Sequence, residues 1–254
     1  MGNGGTNSGT NFLGTTDNID LVFRRNNIEG MRLSGASGNL VTTVDATING
    51  VIVGRGGGNI DTNTANGSGA LFSNTTGDSN TANGVAALYS NTTGIYNTAN
   101  GAFTLQNNIT GSFNTANGAS ALISNITGSD NTANGHGALG NNTTGNSNTA
   151  NGLSALVRNT TGTNNTANGV FALFFHTTGT GNTANGFRAL YNNITGNFNT
   201  ALGSSAGSAI TTGSSNIAIG YNAQVASPTG SNQLSIGNWI YGSGGNIGIG
   251  TSTP

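Results

Sequence analysis

The chain of 254 residues has no cysteine, no lysine, two prolines, two histidines and one tryptophan, and only 5% of it is charged. Each absence excludes something. Without cysteine there is neither a disulfide framework nor a thiolate metal site, so the redox compartment is not written in the sequence. Six arginines against seven carboxylates give a net charge of −1. A nucleic acid or an anionic membrane surface is gripped through a basic patch that displaces counterions, and no such patch exists, so neither is an expected partner. No apolar run approaches the ~20 residues of a membrane-spanning helix. The opening MGNGGTNSGT lacks the basic and apolar parts of a secretory signal. Gly2 and Thr6 fit the loose myristoylation pattern, but the stretch reads as a glycine-rich start.

Low charge also separates this chain from ordinary disordered sequences, which stay unfolded through charge and solvation. Apolar residues make up 33%, against about 45–50% in a typical domain. Asn, Thr, Ser and 44 Gly fill the difference, and they do so in a strict pattern.

A seventeen-residue unit begins at Asn63, Asn80, Asn97, Asn114, Asn131, Asn148, Asn165, Asn182, Asn199 and, in altered form, Asn216, with no insertion between starts. Its consensus is N-T-A-N-G-x-x-A-L-x-x-N-[TI]-T-G-x-x. Coil positions below are counted from that first Asn. Strict register makes each unit one turn of a stacked object rather than one bead on a string. No i, i+3, i+4 apolar stripe exists, so the unit is not helical. Two glycine columns, at positions 5 and 15, mark places of positive φ or close approach. The fold class expected is all-β: a parallel β-roll or β-solenoid with two short strands per coil, T-A-N and A-L-x, flanked by small β regions. Three segments follow: residues 1–62 as a hairpin region and junction, 63–215 as the solenoid, and 216–254 as a last coil and connector.

Stacked coils put like residues in ladders. Asn66, Asn83, Asn100, Asn117 and Asn134 are expected to hydrogen-bond side chain to side chain, as in cross-β stacks. The column switches to Leu202 and Ile219 near the end. Leu71, Leu88, Leu105, Leu122, Leu139, Leu156, Leu173 and Leu190 never vary and are placed inside the roll. Strand alternation puts their neighbours outside. The outward column contains Phe72, Tyr89, Ile123, Val157, Phe174 and Tyr191, with Gln106 and Gly140. One Leu per coil is little burial for seventeen ordered residues, so a second apolar face shared between chains is expected. This predicts an oligomer, best a homotrimer.

In the flanks, IDLVFRRNNIEGMRL reads as a hairpin around Asn26-Asn27 and ATINGVIVG as a hairpin with an Asn49-Gly50 turn. Six of the thirteen charged residues lie at 17–32 (Asp17, Asp20, Arg24, Arg25, Glu29, Arg32). GRGGGN at 54–59 lacks the phosphate-loop form and reads as a flexible junction.

NTALGSSAGSA and NIAIGYNAQVA resemble the coils of YadA-like heads in trimeric autotransporter adhesins, which are left-handed parallel β-rolls packed as trimers. With GTNFLGTTDNIDLVFRRNN at the start and GNWIYGSGGNIGIGTSTP at the close, nearly the whole chain resembles phage-type tail fibres and bacterial surface fibres. The resemblance implies a self-cleaving intramolecular chaperone domain beyond the GNIGIGT-type segment, which this sequence does not contain. It departs from the usual repeat in carrying Asn, not Ile or Val, at Asn66 and its column.

No catalytic constellation is legible. His136 and His176 stand in different columns without Cys, Asp or Glu at ligand spacing, and no cofactor is expected. The repeats hold two carboxylates, Asp78 and Asp130, three coils apart, too far for a glycosidase pair. Asn74, Asn91, Asn108, Asn125, Asn142, Asn159 and Asn193 each open an N-x-T sequon, interrupted by His176. They read either as glycan acceptors along a rod or as turn residues that satisfy backbone groups. The expected function is a non-catalytic, extracellular, virion or cell-surface fibre that attaches to a glycan or protein receptor, with Tyr96, Phe103, Phe113 and Phe198 as candidate contacts. A cell-surface adhesin or self-assembling filament is the alternative. An ice-binding solenoid is a third reading, weakened because Thr75 and Thr76 are adjacent rather than spaced as T-x-T.

Overall fold

The structure is a computed structural model. It describes the backbone of residues 21–25, 28–33, 40–42, 46–48 and 51–250, and side chains from 53 to 250. The turn pairs Asn26-Asn27 and Asn49-Gly50, Asp17, Asp20, Gly2 and Thr6 lie outside the described residues. By contacts the chain divides into two units, Met1–Ala46 and Thr47–Pro254.

In the first unit, β1 (Leu21–Arg25), β2 (Ile28–Leu33) and β3 (Leu40–Thr42) form an antiparallel sheet in that order. Arg25 stands opposite Ile28, so the expected hairpin is present.

The second unit is a β-solenoid of ten stacked coils. Each contributes one parallel strand at the T-A-N segment, from β6 (Thr64–Gly67) through β7 (Thr81–Asn83) to β15 (Ile217–Ile219). Pairing is in register, with Thr81 beside Thr98, Ala82 beside Ala99 and Asn83 beside Asn100. Antiparallel strands join at both ends. Before the first coil, β5 (Val51–Gly54) pairs with β6 and has β4 (Ala46–Ile48) as its other neighbour. After the last, β16 (Gln233–Ile236) continues the parallel stack and β17 (Ile240–Ser243) and β18 (Asn246–Ile249) fold back on it. The contact boundary falls at 46/47, ahead of the first coil. The GRGGGN stretch is laid on the first coil rather than hinged: Gly57 N donates to the Leu71 carbonyl at 2.8 Å, and Arg55 pairs with Asp61 at 2.6 Å.

The expected second strand is absent. A-L-x still pairs from coil to coil, Leu71 N donating to Ala87 O and Ser73 N to Tyr89 O. However, every Leu of the column is left-handed, with φ from 49° to 51°. The left-handed residue turns the chain, so strand alternation fails there. The Ala before each Leu does not face out. Ala70, Ala87, Ala121 and their successors are buried with the Leu column and with the strand alanines Ala65, Ala82 and Ala99. The core is thus one narrow file of Leu and two of Ala. Thr104, the one departure in the second Ala file, is buried and donates to the Gly118 carbonyl at 2.9 Å.

Positions 7 and 17 are left-handed in all ten coils, and neither carries Val, Ile or Thr anywhere. A β-branched side chain in that region is strongly disfavoured. The two glycine columns serve different ends. At position 5, as at Gly84, φ is +136°. At position 15 the angle is ordinary, but a Cβ on Gly94 would collide with the Gly111 carbonyl and with Asn91 Oδ1. In the ninth coil Gly207 replaces Leu and Ile210 replaces the position-12 Asn. A Cβ at Gly207 would lie 3.2 Å from Ile210 Cδ1, so the isoleucine fills the space that the leucine leaves.

Leu122 offers a test of the left-handed column. Leu122→Met keeps volume and an unbranched Cβ and should cost less than ~1.5 kcal/mol in urea unfolding. Leu122→Ile also keeps volume but places a β-branch at φ 51°, and should cost at least about 1–2 kcal/mol more. Equal losses would mean that the left-handed backbone does not select the side chain.

Candidate binding faces

Three asparagine ladders run along the stack. The first is buried at position 1. Each Asn accepts from the next coil's backbone, as Asn80 Oδ1 from Asn97 N at 2.9 Å, and donates within its own coil, as Asn80 Nδ2 to Gly94 O at 2.8 Å. Gln233 takes over the role after Asn216. The second, at position 4, is the expected ladder from Asn66, and it lies on the outer side of the strand. Asn66 Nδ2 donates to Asn83 Oδ1 at 2.9 Å, and the series runs unbroken to Asn185. Parallel in-register pairing sets this spacing, and the outward side of the T-A-N strand leaves room for the amides.

The third ladder is the sequon column at position 12. Asn74, Asn91, Asn108, Asn125, Asn142, Asn159 and Asn193 are buried, at 3% exposure for Asn74 and 0% for the others. Asn91 Nδ2 donates both to Asn74 Oδ1 at 2.9 Å and to Gly94 O at 3.0 Å. Both its amide hydrogens are used inside the roll, and a glycan has no path out. The glycan-acceptor reading is corrected: these are turn residues that satisfy backbone groups.

His176 occupies the same column and breaks it. Its Nε2 donates to Gly179 O at 2.9 Å, copying one bond of the asparagine it replaces. It has no second donor for the preceding coil, so Asn159 Oδ1 is buried without a partner, as is His176 Nδ1. Each such orphan costs about 1–3 kcal/mol. Asn193 is turned the other way, accepting from Gly196 N at 2.9 Å. Burial pushes the His176 pKa below its ordinary 6.5, opposed in part by the hydrogen bond to Gly179.

Outside, the T-A-N strand points Ala inward and sets Thr and Asn in two adjacent columns, Thr81 to Thr183 and Asn83 to Asn185, half-buried throughout. Sequence reading sought a two-column array at Thr75 and Thr76 and missed this one; the signal was the T-A-N strand itself. Beyond Asn185 the face becomes apolar, with Leu202, Ile217 and Ile236 exposed.

The position-10 column lies outside, as expected. Phe72 is 60% exposed and Tyr89 37%, whereas Ile123, Val157, Phe174 and Tyr191 are half-buried. Phe72 stacks on Tyr89 and Phe174 on Tyr191, with ring centroids 5.1 and 5.4 Å apart. The four proposed receptor contacts do not form one site. Tyr96 and Phe113 stack at 5.2 Å and are both exposed. Phe103 sits at position 7, in another column. Phe198 is five coils beyond Phe113 and lies over Gly181, where a Cβ would be 2.6 Å from its ring. Sequence reading also missed the cluster of Phe171, Phe175, Phe187, Arg158 and Arg188 around Phe174 and Tyr191, because its members are spread over four columns.

Among the described residues no group of three or more His, Cys, Asp or Glu could hold a metal ion, and no helix is long and apolar enough to cross a membrane. No family model, no curated protein and no solved structure matches the chain. The class that the fold itself defines is a β-solenoid repeat protein.

His176 makes the stack acid-sensitive. Its folded pKa is lowered, so its contribution is fully present above the unfolded value near 6.5 and is lost as pH falls below it. Wild type should lose thermal stability as pH falls below about 6.5. His176→Asn, which restores the ladder, should flatten that loss and raise the midpoint at neutral pH. An unchanged pH profile in His176→Asn would show that the imidazole is not its source.

Proposed function

We propose that the chain is a non-catalytic structural fibre segment of the tail-fibre or surface-fibre type, homotrimeric and extracellular, on a virion or a cell surface, that attaches to a glycan or protein receptor. The observation that carries this reading is the apolar outer column at Phe72, Tyr89, Ile123, Val157, Phe174 and Tyr191 on a roll whose own core holds one Leu per coil. An apolar stripe along a charge-poor surface is what a partner covers. The exposed Leu202, Ile217 and Ile236 extend the same argument to the C-terminal coils. Ten coils at about 4.7–4.9 Å give a stiff spacer of roughly 50 Å. A cell-surface adhesin or self-assembling filament uses the same architecture. Candidate receptor contacts are the exposed Tyr96 and Phe113 pair, with Phe198 five coils along the same column and Phe103 on another.

One observation favours a second reading. The paired Thr and Asn columns form a regular, uncharged array of hydroxyls and amides at coil spacing, near the repeat of an ice surface. If the array binds ice, the purified chain should suppress ice recrystallisation, and Thr132→Tyr in the middle of the face should abolish the effect. No suppression by the wild-type chain removes this reading.

Light scattering on a sizing column decides between the two assemblies. A mass of three 25.1 kDa chains is expected for the fibre. A folded monomer overturns it.

A further inference from the structure

We propose that copies of this chain meet on the outer face of the sheet over its last two coils and terminal hairpin. This rests on the homotrimer reading above and names the face on which the chains are joined.

In the first eight coils the strand carries Thr at position 2 and Asn at position 4. Both rows then turn aliphatic, and the strand register carries them on. Beyond Asn185 the position-4 row runs through Leu202, Ile219 and Ile236. The hairpin extends it, because Ile236 stands opposite Ile240, and Ile240 opposite Ile249. The position-2 row runs from Thr200 through Ile217 and Leu234 to Gly242 and Ile247. Residues directly paired across strands project to the same side of a sheet. Gly242 agrees, since a Cβ there would lie 3.1 Å from Leu234 Cβ. Aliphatic side chains from five successive strands thus form one face. Exposure is greatest at the hairpin, 70% for Ile247 and 80% for Ile249.

The chemistry names the occupant. Residues 189–254 contain no Asp, Glu, Lys, Arg or His. A charged partner finds nothing to pair with here, and a lipid surface is held by Lys or Arg beside the apolar face. What matches an uncharged aliphatic face is another like it, and every copy carries one. A rotation axis along the stack brings the same rows of each copy together, coil level with coil.

Size sets how far the contact runs. Five strands, two outward side chains wide, give a footprint of about 240 Å². The smallest stable interfaces need roughly 600 Å² per partner. The whole outer face from β6 to β18 reaches about 600 Å². The contact therefore continues down the Thr and Asn rows, with the aliphatic end as its dry part.

The test restores the repeat. Leu202→Asn, Ile217→Thr and Ile219→Asn together make coils nine and ten read N-T-A-N-G, as the eight coils before them do. Leu202→Asn also extends the position-4 ladder past Asn185. Wild type and triple variant are followed by light scattering over a dilution series, and a cooperative melt shows that the variant is folded. Its association should be at least about tenfold weaker than that of wild type. Phe72→Ser/Tyr89→Ser probes the position-10 column in the same way. An oligomer that the triple variant leaves unaltered overturns this face; if Phe72→Ser/Tyr89→Ser dissolves that oligomer, the fibre reading stands without it. A dimer dissolved by the triple variant leaves this face standing while the three-chain fibre falls. A wild-type monomer overturns both, and one that floats with phosphatidylcholine vesicles makes the face a lipid contact instead.

Discussion

The solenoid depends on one coil settling directly onto the next, backbone on backbone, at a fixed interval of seventeen residues. Hydrogen bonds run both ways across each junction. Thr81 N donates forward to Asn97 O, whereas Gly84 N and Tyr96 N donate back to Asn66 O and Asp78 O. Such a stack has no slack for an extra residue, because one insertion would break every ladder at once. At Gly67 and Gly77 the neighbouring coil's carbonyl occupies the place of a Cβ. Close approach is thus the constraint, and the glycine columns follow from it.

The same constraint explains a core that is half amide. The interior is too narrow for two files of large side chains, so it takes one Leu file, two Ala files and two Asn files. A buried amide is tolerable only when its hydrogen bonds are complete. In-register stacking completes them, because every Asn finds an identical Asn one coil away. Cooperation of this kind is vulnerable at a single substitution. His176 satisfies its own coil through Gly179 but leaves an oxygen unsatisfied on the preceding one. The fault lies between coils six and seven.

Because the interior is nearly invariant, the surface carries the individuality of the chain. The strand face is a uniform polar array until it turns apolar at Leu202. The turn face varies from coil to coil, and stacking converts that variation into local chemistry. Rings one coil apart become parallel pairs, as with Phe72 and Tyr89 or Tyr96 and Phe113. Thirty residues of separation become a single patch at Arg158 and Arg188. A repeat with a fixed core and free turn positions can therefore change what it contacts without changing how it folds.

The sequence alone determined the coil count, the coil length, the inward Leu column and the Asn ladder that starts at Asn66, because each is a periodicity that in-register stacking satisfies, whereas the structure put that ladder on the outside. It also offered the turn role of the sequon asparagines as one of two readings, without deciding between it and the glycan role. The tertiary structure decided that Leu71 and its successors are left-handed, a backbone angle that no periodic pattern encodes. That angle removed the second strand and turned the adjoining Ala file inward. Burial of Asn91 and its column against Gly94 settled the sequons, since exposure is a property of the closed coil and not of the triplet. The Arg158, Phe174, Tyr191 and Arg188 cluster likewise exists only in three dimensions. Only Phe174 and Tyr191 share a column, and coil stacking brings the two arginines, from other columns, into contact with them.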